Sequence, residues 1–201
     1  MLRPFGDTTL TDIILNKLAQ LPAYTFFAGL EAEFREKCDH VGVHFVQRDE
    51  RSATIDEPIR DILGFLEDVP CEYLLIVNGC LPFLKVETIT RFLRDCEEGG
   101  YEPAFGVVRR NNHFLDLGRH ALNFDITSPT INTKTVKPVH EFAHALYFFS
   151  RDYFLREGRY WDWQTVRLVE MAGGLELLDI DTESDFAFAE SLWRGDPLAL
   201  A

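Results

Sequence analysis

Leu175-Glu176-Leu177-Leu178-Asp179-Ile180-Asp181-Thr182-Glu183-Ser184-Asp185-Phe186 is the stretch on which the reading of this chain turns. Its apolar start, residues 175–178, has the length and composition of a buried strand. Thr182 and Asp185 stand three apart, the spacing of an N-cap hydroxyl and an acidic N3 residue at a helix start. Phe186, Ala189, Glu190 and Trp193 then continue at helical intervals. Asp179 and Asp181, at the end of the strand, could face a hard cation together. Mg²⁺ takes one or two carboxylates and fills its other positions with phosphate oxygens and water. The plainer alternative is that one or both carboxylates only cap the turn.

Working outward, the rest of the chain repeats the strand-then-helix rhythm. A helix is expected to open near Thr9, with Leu10, Ile13, Ile14 and Leu18 on its apolar face. Tyr24 to Ala28 reads as a strand ending at Gly29, Glu31 to His40 as a helix, and Val43 to Val46 as the next strand. Ile59 to Leu66 carries a helical stripe. Tyr73 to Val77 is apolar on both parities, as expected of a central strand covered on both faces. Val86 to Cys96 is a helix closed by Gly99-Gly100, and Ala104 to Val108 a strand. Trp163 to Ala172 reads as helical, while Ala145 to Phe149 fits either state. The alternation predicts an α/β fold with helices on both faces of the sheet.

Residues 109–140 interrupt the rhythm with Asn111-Asn112, Gly118, Ser128-Pro129 and Pro138. So long a stretch is expected to form a hairpin, a lid or a subunit contact inserted in one domain spanning 1–201.

Composition narrows the partners. With 46% hydrophobic and 26% charged residues over 201 positions, the chain is long enough for a full core. A net charge of −13 and scattered basic residues, the densest group being Arg109-Arg110 near His113, argue against nucleic acid. No apolar stretch reaches membrane-spanning length. Cys38, Cys71, Cys80 and Cys96 form no CxxC pair and follow no secretory leader, so free thiols and a cytoplasmic location are expected.

Four collinear segments resemble the cytidylyltransferase family that activates acidic sugars, including the CMP-sialic acid and CMP-3-deoxy-manno-octulosonate synthetases. They are Leu2-Arg3-Pro4-Phe5-Gly6-Asp7-Thr8-Thr9-Leu10, Val77-Asn78-Gly79-Cys80-Leu81-Pro82-Phe83-Leu84, Ala145-Leu146-Tyr147-Phe148-Phe149, and Asp179-Ile180-Asp181-Thr182 with Asp185-Phe186 and Ala189-Glu190. The resemblance implies a single-domain, nucleotide-diphospho-sugar-transferase-like, Rossmann-type mixed sheet and a homodimer. It implies a CTP-dependent nucleotidyltransferase that joins CMP to a 2-keto sugar acid and releases pyrophosphate. By position, Asp179 and Asp181 would hold Mg²⁺ and serve catalysis, Asn78 and Arg3 would meet the nucleotide, and Arg48 and His144 the sugar. The family's opening strand and loop, Ala-Arg-x-Gly-Ser-Lys-x-x-Pro-x-Lys-Asn, precede the point where this chain starts. An upstream stretch carrying that loop is therefore expected, and a non-catalytic nucleotide- or sugar-binding role is the alternative. Leu81 replaces a small hydroxyl residue, and Ala143-His144 stands where the family tends to have Asn-Gly.

One competing motif is His140-Glu141-Phe142-Ala143-His144. On a helix, His140 and His144 would chelate one Zn²⁺ with Glu141 as general base, a metalloprotease site. On a strand the two histidines stand roughly 13 Å apart, at about 3.3 Å per residue, and share no ion.

Overall fold

The computed structural model describes residues 1–195. Its strands are β1 (Pro4–Phe5), β2 (Thr8–Thr9), β3 (Phe26–Gly29), β4 (His44–Gln47), β5 (Tyr73–Val77), β6 (Ala104–Arg110), β7 (Val139–Ser150) and β8 (Arg167–Glu170). Its α-helices are α1 (Leu10–Leu18), α2 (Ala32–Val41), α3 (Glu50–Thr54), α4 (Ile59–Ile62), α5 (Val86–Glu98), α6 (Arg151–Glu157) and α7 (Glu183–Gly195).

Four strands form a mixed sheet in the order β5-β7-β6-β8. The pairs β5/β7 and β7/β6 are antiparallel and β6/β8 is parallel. β3 and β4 form a separate parallel pair joined through α2, and β1 and β2 a short antiparallel ribbon. Helix α5 buries Ile89, Phe92 and Cys96, spaced to share one face, against Ala104, Leu146 and Phe148 of the sheet. On the opposite face Phe154 of α6 packs with Leu74 and Phe149. A third cluster joins Phe5, Leu10 and Ile13 to Phe83, Phe186 and Ala189, tying the chain's first residues to its last helix. The expected mixed α/β sheet with helices on both faces is present.

Local chemistry explains several boundaries. Thr9 caps α1, its hydroxyl accepting from Asp12 N at 3.1 Å. Gly42 ends α2 in the left-handed region (φ 76°), where no side chain is tolerated easily.

Other expectations fail for physical reasons. Residues 175–178 are not a strand; Gly174–Leu177 is a 3₁₀ turn entered through two consecutive glycines of positive φ. Glu176 is drawn to the start of α5, where its carboxylate accepts from Lys85 N (3.2 Å) and Thr88 Oγ1 (2.6 Å). The segment Trp163 to Ala172 is not a helix. One turn forms at Asp162–Val166, and the residues after it are captured by the edge of β6, with Arg167 N donating to Pro103 O and Met171 N to Val107 O, both at 2.8 Å. The stripe at 59–66 splits into α4 and a 3₁₀ turn, Gly64–Asp68. β5 is covered on both faces as expected, yet it is not central: only β7 pairs with it.

Between β6 and β7, residues 111–138 leave the sheet with little regular structure. Asn123 is buried at their root, accepting from Phe114 N (2.9 Å) and donating to Asn112 O (2.7 Å) and Lys137 O (2.8 Å). Leu115, Leu117, Leu122, Ile126 and Ile131 are exposed on this excursion.

Candidate functional site

The site grows from the carboxyl end of β5, where open α/β sheets place their ligands. Asn78 N closes the ladder by donating to Ala145 O at 2.9 Å. Its side chain then links three remote segments. Oδ1 accepts from Cys80 N (2.8 Å), shaping the loop; Nδ2 donates to His144 O and to Asp179 Oδ2, each at 3.0 Å. Ile180 N adds a bond to Cys80 O at 3.2 Å. From below, Lys17 Nζ donates to Leu81 O (3.3 Å) and Pro82 O (2.5 Å), and burial pushes this amine down to about 8.

β7 contributes an irregularity at this point. Its pairing with β6 jumps from Phe105↔Tyr147 to Val107↔Phe142, so β7 carries extra residues and bulges. His144 lies in the bulge with φ 49°, a left-handed conformation uncommon for a residue with a Cβ. Its Nδ1 meets Tyr147 Oη at 2.8 Å. Burial, followed by Tyr160 and Asp179, pushes the Tyr147 phenol above its ordinary range, so this hydroxyl stays protonated. Sequence reasoning missed Tyr147. A lone hydroxyl in the apolar run 145–149 was the available signal, since a buried tyrosine normally keeps a partner.

Asp179 is half-buried. Burial and then the charge of Asp181 raise its pKa, while the bonds from Asn78 and Ile180 N oppose the rise. Its second oxygen, Oδ1, is buried with no hydrogen-bond partner. Neither carboxylate is needed to cap the following helix. Thr182 and Asp185 do that reciprocally: Asp185 N donates to Thr182 Oγ1 (3.2 Å), and Asp185 Oδ2 accepts from Thr182 N (2.8 Å). An orphaned carboxylate oxygen beside a second, exposed carboxylate is a donor set suited to a hard cation. Among the described residues no group of three or more His, Cys, Asp or Glu is placed to hold a metal, so such an ion would rely on two carboxylates plus substrate and water.

Arg3 and Arg48 are engaged elsewhere. Arg3 makes a bidentate pair with Glu183 (2.6 and 2.8 Å) at the start of α7 and lies 4.0 Å over the Phe186 ring. Arg48 donates to the carbonyls of Ser52 and Ile62, fastening α3 to α4, and shares no partner with Asn78, His144 or Asp179.

The HExxH segment lies on β7, in strand conformation up to the bulge. His140 Nε2 meets Glu170 (3.2 Å), Glu141 pairs with Arg110, and His144 turns to Tyr147. The helix that a zinc site requires is absent. That reading is corrected.

Cys80 is a free thiol, as expected. Burial and the nearby aspartates raise the thiol's pKa, which keeps it protonated. No described helix is long and apolar enough to cross a membrane.

No protein-family profile and no curated protein sequence matches this chain. Solved structures do. A CMP:2-keto-3-deoxy-manno-octonic acid synthetase complexed with CTP superposes with a TM-score of 0.67 at 11% identity, over 96% of this chain and 90% of that one. A 4-diphosphocytidyl-2C-methyl-D-erythritol synthase from Anaerococcus prevotii gives 0.67 at 12% identity, over 96% and 91%. Superposing over nearly its whole length, this chain shares the fold of these two synthases.

Proposed function

We propose that this protein is a nucleotidyltransferase of the cytidylyltransferase type, transferring CMP from CTP to an acidic 2-keto sugar. A sugar hydroxyl oxygen would bond to the α-phosphorus, the bond from that phosphorus to the β-phosphate oxygen would break, pyrophosphate would leave, and the hydroxyl proton would pass to solvent. The observation that carries this reading is the Asp179–Asp181 pair, with a buried, unpartnered oxygen at the carboxyl end of the sheet. Asp179 and Asp181 would hold a Mg²⁺ that screens the triphosphate and sugar carboxylate from each other and from a chain of net charge −13. Asn78 fixes Asp179 in place and brings the His144 bulge alongside it. His144 and Tyr147 then present a polar pair on the same side of the site, suited to a sugar hydroxyl or carboxylate.

A non-catalytic nucleotide- or sugar-binding protein is the second reading. The bidentate Arg3–Glu183 pair favours it, because that guanidinium is committed to a carboxylate and not to a phosphate. A homodimer is proposed on the exposed leucines and isoleucines of residues 111–138.

Calorimetry with CTP and Mg²⁺, followed by pyrophosphate release with 3-deoxy-manno-octulosonate or N-acetylneuraminate, tests the assignment. Mg²⁺-dependent CTP binding without turnover supports the second reading. No binding even after extension of the chain with a Gly-Ser-Lys-rich loop before Met1 would sink both.

A further inference from the structure

Phe105 of β6 is buried, at 2% exposure, and four other rings stand around it. Their centroids lie at 5.1 Å for Tyr147, 5.7 Å for Phe142, 5.8 Å for Tyr160 and 6.2 Å for Trp163. Each meets Phe105 edge to face, a preferred geometry for aromatic pairs, so the four are held together on one hub. A closed core would cover them all. Instead Phe142, Tyr147 and Tyr160 are half-buried, and Trp163 is 64% exposed. An indole left so open contributes little to the fold, although Phe105 and Phe142 (5.6 Å) fix its position.

This row of rings begins inside the candidate site. Tyr147 is the residue whose hydroxyl meets His144 Nδ1 at 2.8 Å, and it also feels the charge of Asp179. The Phe142 ring lies 6.2 Å from that of His144. His144 Nε2 has no partner among the described residues. One surface thus carries hydrogen-bonding groups at the end near Asp179 and bare aromatic area at Trp163. A pyranose matches both: hydroxyls line its rim, and its axial C–H bonds form a face that suits the negative face of an aromatic ring. An open-chain polyol has no such face. A quaternary ammonium calls for rings converging on one point, whereas these surround a buried neighbour.

We propose that Trp163, supported by Phe142, is the specificity-determining platform for the acceptor and selects a sugar in its closed-ring form over an open-chain polyol. The sugar ring lies against the indole, and its polar rim turns to His144 and Tyr147. The platform serves the acceptor of the reaction proposed above and rests on that reading.

Acceptor binding is measured without turnover, by calorimetry and saturation-transfer NMR, using 3-deoxy-manno-octulosonate or N-acetylneuraminate with Mg²⁺ and CMP. Saturation of the protein's aromatic protons should reach the ring C–H protons of the sugar, and Trp163→Ala should lose that signal. The same substitution should weaken sugar-acid binding about tenfold, and Trp163→Tyr should recover most of it. Circular dichroism should be the same for all three proteins. D-erythritol 4-phosphate, the open-chain control, should not distinguish wild type from Trp163→Ala. A loss below about twofold overturns the platform, since stacking on an indole is worth more than that. So does an equal loss for the open-chain control, a Trp163→Tyr protein no better than Trp163→Ala, or a wild type that binds neither sugar acid. Binding that needs Trp163, with no pyrophosphate released from CTP, removes the transferase reading and leaves the platform. Pyrophosphate release indifferent to Trp163 does the reverse.

Discussion

Asp179 carries opposing demands: desolvation and a neighbouring carboxylate favour its protonation, and the hydrogen bonds from Asn78 and Ile180 N favour its ionised form. A residue kept in that state is destabilising unless something else compensates. Asp179→Asn should therefore leave the thermal midpoint unchanged or higher while abolishing Mg²⁺-dependent CTP binding; a lower midpoint with retained binding would mean that the carboxylate only shapes the turn. Asp181→Ala should remove the same binding by calorimetry and leave the fold intact. Lys17 gives a pH prediction. Its folded-state pKa, about 8, lies below the ordinary 10.5, chiefly through burial. Between these values the unfolded chain holds more protons, so stability from this residue rises as pH increases through the window. Cys38 and Cys96, pushed up to about 11 by burial, work oppositely above pH 9. Urea unfolding from pH 7.5 to 9 should show the slope in wild type and lose it in Lys17→Met. Gly6, at φ 63° with Trp193 Cδ1 only 2.8 Å from a would-be Cβ, should lose about 1–3 kcal/mol as Gly6→Ala in thermal unfolding.

Among the elements, those with their own punctuation were legible in the sequence. The caps at Thr9 and Thr182 and the glycines ending α2 and α5 act within a few residues, and their spacing survives in the fold. Elements decided by remote partners were not. Arg167–Glu170 is a strand because β6 offers an edge, and residues 174–177 turn because Glu176 is wanted at α5. The Asp179–Asp181 pair was legible as two close aspartates, whereas Tyr147 and the His144 bulge depend on a register shift that no local pattern announces. The excursion 111–138 presents Leu117 and Ile131 almost fully to solvent, at 107% and 91%. If a second copy covers them, Leu117→Asp with Ile131→Asp should halve the mass seen by sedimentation at micromolar concentration, leaving the circular dichroism unchanged. A wild type that sediments as a monomer would remove the dimer proposal.

For the molecule as a whole, the fold was read from collinear segments that match at low identity, and geometry then agreed over nearly the full length. Topology tolerates such divergence because hydrophobic pattern and turn chemistry, and not residue identity, set the architecture. Activity does not follow so freely, since it needs particular groups at particular points. The three-way link at Asn78 bears on this. It joins residues 66 and 101 positions apart in the chain, so the two carboxylates acquire their geometry only once β5, β7 and the approach to α7 are all in register. A partly folded chain would have nothing at residue 78 to aim Asp179. Magnesium affinity would then serve as a gauge of native assembly, dropping away together with the long-range sheet while the short helices persist.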